Sequence, residues 1–274
     1  MHRTLLLASS IFLVSFSVFS KPVSLFDKHD EEVVYVLPEP DALPLLPQPE
    51  RKMFPCVEPD RKAIQQTQQT VTGECGIDVS HYQGFINWKM VAVDPNVKFV
   101  YIKATESNTI VDSHYHQNQR EARAVGLPVG VYHFFSPTTS AYTQLRNFSD
   151  NVNPRKQDLV PIVDVEKRGR GRLGEFQSRL RAFLVQIEKM YGVKPIIYTG
   201  VNFYNEHLAG AFLDYKFMIA RYNVEVLPTL LDNPQIVLWQ FTCKGLVNGI
   251  QGNVDRSCFV GNYGLKDIFL PSGK

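Results

Sequence analysis

The segment Val163-Asp164-Val165-Glu166 sets two carboxylic acids one residue apart in a β-branched run. On an extended strand alternate side chains share a face about 6–7 Å apart, so both carboxyls can address one bond. Crowded carboxylates resist a second negative charge. One acid then keeps its proton for a leaving oxygen, while its ionised neighbour steadies positive charge or orients a substrate group. A solvated strand end entering the basic stretch Lys167-Arg168-Gly169-Arg170-Gly171-Arg172 accounts for the spacing equally well.

The elements around this pair bear on the choice. Short apolar runs recur at residues 76–79, 99–103, 129–134, 159–164, 195–198, 216–220, 235–240 and 252–255, which makes about eight strands. Helical periodicity separates the early ones, over 113–125, 141–151 and 175–191. In the last, Phe176, Leu180, Phe183, Leu184 and Ile187 share one face and Gly192 closes the helix. Strands alternating with helices predict parallel pairing, and the shorter later connections predict a barrel regular in its first half and irregular in its second. Polar residues end the runs: Asp78, Lys103, Tyr132 with His133, Asp164 with Glu166, Tyr198, Gln240 and Asp255. In a closed parallel barrel all such ends meet at one rim, where these folds carry chemistry. His133, adjacent to Tyr132 on an extended run, is expected on the opposite face in a packing role.

Composition narrows the function. With 29 Lys+Arg against 27 Asp+Glu and a net charge of +2, there is no strong overall field to collect nucleic acid, and none is expected as a partner. Met1–Ser20 reads as a secretory signal, a short basic start followed by an apolar run too short to span a bilayer, so no stable membrane insertion is expected after cleavage. Seven of the 17 prolines fall between Leu37 and Asp60, so residues 21–72 read as an extended tether and 73–274 as the folded domain. Export makes disulfides plausible. Proximity groups Cys56 with Cys75 and Cys243 with Cys258, one of the three connectivities four cysteines allow. Asp112, His114 and His116 have no companion ligands at metal spacing and read as a solvated helix start; no metal and no cofactor is expected.

Gly76-Ile77-Asp78-Val79-Ser80-His81-Tyr82-Gln83-Gly84, Tyr101-Ile102-Lys103-Ala104-Thr105-Glu106, Gly130-Val131-Tyr132-His133-Phe134, Asp164-Val165-Glu166, Pro195-Ile196-Ile197-Tyr198, Trp239-Gln240 and the late Gly249-Ile250 with Gly252–Asp255 resemble, in order, the motifs of glycoside hydrolase family 25, the Chalaropsis-type lysozymes. The resemblance covers almost everything from residue 73 onward. It implies an α/β fold, a modified TIM barrel of (β/α)5(β)3 type, that hydrolyses the β-1,4 bond between N-acetylmuramic acid and N-acetylglucosamine in peptidoglycan. It further implies Glu166 as proton donor, Asp164 orienting the substrate's N-acetyl group, and Asp78 and Asp255 supporting the acidic cluster. Tyr132 matches the tyrosine near the acetamido group. Asn87 stands where the family commonly has Asp and is expected to cap a helix; Ser107 stands where Gly is usual.

Lys103 with Glu106 reads either as a sugar-contacting pair or as a structural ion pair. Tyr198, Tyr222 and Trp239 can present rings to sugar faces, with Gln240 beside them. The expected partner is the peptidoglycan glycan strand, and the expected location is secreted, periplasmic or cell envelope. A chitinase-like hydrolase and a catalytically silent wall-binding protein are the competing readings; oligomeric state is left open by the sequence.

Overall fold

A computed structural model describes residues 73–271 except 226 and 228; the expected signal segment, the expected tether and Cys56 lie outside the described residues. Eight strands close into a barrel: β1 (Cys75–Val79), β2 (Val100–Glu106), β4 (Val129–Phe134), β5 (Ile162–Asp164), β6 (Ile196–Gly200), β7 (Lys216–Ala220), β8 (Gln235–Gly245) and β9 (Val254–Phe259). A two-residue strand, β3 (Ile110–Val111), folds back antiparallel on the end of β2. Helices α1 (Trp88–Ala92), α2 (Tyr115–Ala124), α3 (Ala141–Asn151), α4 (Leu173–Tyr191) and the short α5 (Val201–Phe203) follow β1, β3, β4, β5 and β6 in turn. Among the described residues the last three strands have no such helix between them, which is the expected five-helix, three-bare-strand pattern.

One expectation about direction is overturned. Seven barrel strands run parallel, but β9 is antiparallel to both β8 and β1. Asp255 therefore lies at the start of its strand instead of the end, and it arrives at the rim because the strand runs the other way. Helical crossovers force parallel neighbours. The turn from β8 to β9 carries no helix, so the chain is free to return as a hairpin.

Alternation sorts the side chains into two layers. Ile77, Val79, Val100, Ile102, Val129, Val131, Val163 and Ile197 face outward and pack on helix residues such as Val91, Phe148, Phe176, Leu180, Phe183 and Leu184. Tyr101, Tyr132, Ile162, Ile196, Tyr198, Met218 and Leu238 fill the barrel. Gly130 lies opposite Tyr101 in the register, and a Cβ there would enter the Tyr101 ring, so the missing side chain is what lets that ring occupy the interior. The expected face of α4 is buried throughout, and Gly192 ends it in the left-handed region at φ +73°. Ser140 caps α3 through Thr143 N–H, and Asn87 caps α1 by accepting from Met90 N–H, as anticipated for that departure from the family pattern.

The cysteine grouping is corrected. Cys75 pairs with Cys258, directly opposite each other on β1 and β9. Proximity along the chain does not decide the pairing, because barrel closure brings the two ends of the folded region together. The link closes a separation of 183 residues, for which the chain-entropy account gives about 5 kcal/mol.

His133 is fully buried on the outer side of β4, between the rings of Phe148 and Phe183, with Nδ1 bonded to Thr105 Oγ1 and Nε2 to Gln144 Oε1. Burial lowers its pKa from 6.5 to about 3. Above pH 6.5 the imidazole is neutral in folded and unfolded chains alike. As pH falls from 6.5 toward 3 only the unfolded chain takes the proton, so stability is complete above 6.5 and declines below it by up to about 1.4 kcal/mol per pH unit. Urea unfolding at pH 7, 6 and 5 is expected to give a shallower pH slope for His133→Gln than for the parent chain; equal slopes would contradict a neutral buried imidazole.

Candidate active site

The acid pair is positioned by β5 and its extension. Val163 and Val165 are both locked into the outer core, and Val165 N–H still donates to Tyr198 O past the formal end of the strand. Asp164 and Glu166 must therefore both turn toward the barrel mouth. Asp164 is almost wholly buried, and with Asp78, Tyr101, Tyr132, Ile162, Tyr198 and Met218 it lines a small pocket in the mouth of the barrel.

Asp78 and Asp255 are joined by register, opposite each other on β1 and β9 and both buried. Directly opposed like charges are unfavourable on a sheet, so the pair calls for polar support. Gln240, completely buried on β8, provides part of it: its Nε2 donates to Asp78 Oδ2 at 2.9 Å. Its Oε1 accepts from two phenols, Tyr198 at 2.9 Å and Tyr222 at 2.5 Å. The Tyr198 hydroxyl is pushed well above the usual tyrosine range, first by burial and then by Tyr222 and the negative potential of Glu166, Asp164 and Asp255. That phenol thus senses carboxylates from both the β5 segment and β9 at once.

The residues expected to touch sugar separate into four groups. Tyr132 sits in the pocket with Asp78 and Asp164. Gln240 and Tyr198 are buried beneath the acids and bond to each other, and Gln240 alone reaches on to Asp78; Tyr222, half-buried, bonds to Gln240 from the segment after β7. Lys103 donates to Glu106 at 2.6 Å with both side chains largely covered, an ion pair that braces the end of β2.

Trp239 is not brought to the cluster. Its neighbour Gln240 points inward, so Trp239 points outward, where it packs on Phe241 beside Cys75 and Cys258 and donates Nε1–H to Arg221 O.

Rim loops account for two further findings. Ser107 adopts φ +52°, the left-handed region that explains the family's usual Gly, and it is held by Phe134 O, Asn147 Nδ2 and Thr139 Oγ1. Asp112 is not a solvated helix start. Its carboxylate is buried, with Oδ2 accepting from His81 N–H and lying 2.6 Å from His81 Nδ1, and with Oδ1 accepting from His114 N–H. It fastens the loop after β1 to the loop before α2. Nothing in the local sequence marks this, because its partner is 31 residues away. Gln83, also unremarked in the sequence, closes the same loop by accepting from Ser80 N–H and donating to Asn253 O ahead of Asp255.

This geometry has relatives. Residues 77–250 match the family model "Glycosyl hydrolases family 25". The chain is 40% identical over 192 residues to YegX of Escherichia coli K12, covering 68% of this chain and 69% of that one. It is 30% identical over 204 residues to Lysozyme M1 of Streptomyces globisporus, covering 70% and 69%. Among solved structures, a family 25 glycosyl hydrolase from Bacillus anthracis superposes with a TM-score of 0.64 at 32% identity, covering 70% of this chain and 94% of that one. A barrel whose mouth gathers acids from β1, β5 and β9, together with these matches, makes the chain a glycoside hydrolase belonging to family 25.

Proposed function

We propose that this chain is an exported muramidase that hydrolyses the β-1,4 bond between N-acetylmuramic acid and N-acetylglucosamine, with Glu166 as proton donor. The observation that supports the reading is Asp164 in one pocket with Asp78 and Tyr132, with Glu166 close enough for its charge to act on the Tyr198 phenol beneath them. Family membership supplies the substrate class. The signal-like segment Met1–Ser20 supports export.

In this reading the glycosidic oxygen takes the Glu166 proton as its bond to the anomeric carbon breaks. Asp164 holds the N-acetyl group so that its carbonyl oxygen assists at that carbon, with Tyr132 alongside. Water then completes the hydrolysis and returns its proton to the Glu166 carboxylate. Asp78 and Asp255 keep the mouth negative where positive charge develops, and Gln240 holds Asp78 in place.

Glu166→Gln is expected to reduce release of new reducing ends from purified sacculi by roughly 10²–10⁴-fold, with thermal unfolding unchanged; near-parental activity would remove the assignment. Mass analysis of reduced products is expected to place the new end on N-acetylmuramic acid, whereas ends on N-acetylglucosamine, or equal turnover of chitin, would exclude a muramidase. For Gln240→Met, which deprives Asp78, Tyr198 and Tyr222 of a shared partner, kcat is expected to fall by roughly 10–100-fold with a displaced pH profile and little change in KM. A loss confined to KM would instead make Gln240 a direct sugar contact.

A further inference from the structure

We propose that the loop after β5, carrying Lys167, Arg168 and Arg170, is a subsite for carboxylates borne by the glycan strand, the free acids of its peptide and lactyl substituents. The proposal rests on the muramidase reading and names what that enzyme selects.

The loop is built onto the rim. Lys167 directly follows Glu166, and its ammonium lies 4.8 Å from the centre of the Phe134 ring. Phe134 is itself buried at the end of β4, opposite Asp164 in the register. Gly169 turns the chain at φ +74° against Pro137, where a Cβ would come within 3.3 Å of that ring. Arg168 Nη1 donates to Gly171 O at 2.6 Å, and Arg179 bonds to Pro137 O from α4, so both sides of the contact are tied down.

Charge distribution carries the assignment. Arg172 is neutralised by Glu175 at 2.6 Å and Lys103 by Glu106 at 2.6 Å. Among the described residues, no carboxylate lies within ion-pair distance of Lys167, Arg168 or Arg170, and Lys167 and Arg170 are exposed. A chain with net charge +2 thus places three uncompensated cations beside a mouth holding four acids. The acids alone would repel an anionic polymer. Cations on the adjoining rim reverse that over roughly a Debye length of 8 Å and leave the acidic mouth free for the neutral sugar ring. Guanidinium forks suit carboxylates.

The test compares peptidoglycan freed of phosphate polymers, with its carboxyls either free or amidated by carbodiimide coupling. The enzymes are the parent chain, the double variant Arg168→Gln/Arg170→Gln, and Lys189→Gln, which removes a charge near the C-terminal end of α4 on the opposite face of the barrel. On the free-carboxyl polymer at low salt, the double variant is expected to raise KM roughly fivefold. Amidation should raise the parent's KM by a similar factor, leave the double variant unmoved, and affect Lys189→Gln as it affects the parent. Persistence of the parent's preference in the double variant, or an equal KM rise in Lys189→Gln, would overturn the subsite. Co-sedimentation with the same two polymers repeats the comparison without turnover. Carboxylate-dependent binding that is lost in the double variant, in the absence of any cleavage, would keep the subsite and remove only the muramidase reading.

Discussion

Asp78 and Asp255 face each other across the seam where the barrel closes, and much of the site follows from making that juxtaposition tolerable. Two buried like charges on neighbouring strands are unfavourable unless donors and dipoles are arranged around them. Gln240 gives Asp78 a donor and is itself held by two phenols, so three strands and the segment after β7 are bound into one polar layer. A side chain of Gln240's type is needed there: it must donate on one side and accept twice on the other.

The seam is also where the fold departs from a regular barrel. An eighth parallel strand would need a crossover, whereas the hairpin from β8 to β9 lets the last strand return antiparallel and pair with the first. That reversal delivers Asp255 to the same rim as Asp78 and sets Cys75 against Cys258 farther along the same pair of strands. Closure, disulfide and half of the acidic cluster therefore share one cause.

Beneath this layer the barrel interior is filled by aromatic and aliphatic side chains, and its polar groups are concentrated at the mouth. The buried neutral His133 and the Asp112 clamp lie outside the acidic layer; one fixes β4 against α3 and α4, and the other fixes the loop after β1.

Local signals were enough for a good deal. Eight apolar runs, the buried stripe of α4, the cap at Asn87 and the alternation of Asp164 with Glu166 are properties of near neighbours, governed by periods of 2.0 and 3.6 residues. The same alternation predicts the outward His133, and an inward Gln240 sends its neighbour Trp239 to the other face. Strand direction, cysteine pairing, the burial of Asp112 and the supporting role of Gln240 were decided only in three dimensions. Strand reversal comes from the short β8–β9 hairpin, but the others depend on partners far along the chain, from 31 residues for Asp112 to 183 for the disulfide, and such contacts exist only once the barrel has closed.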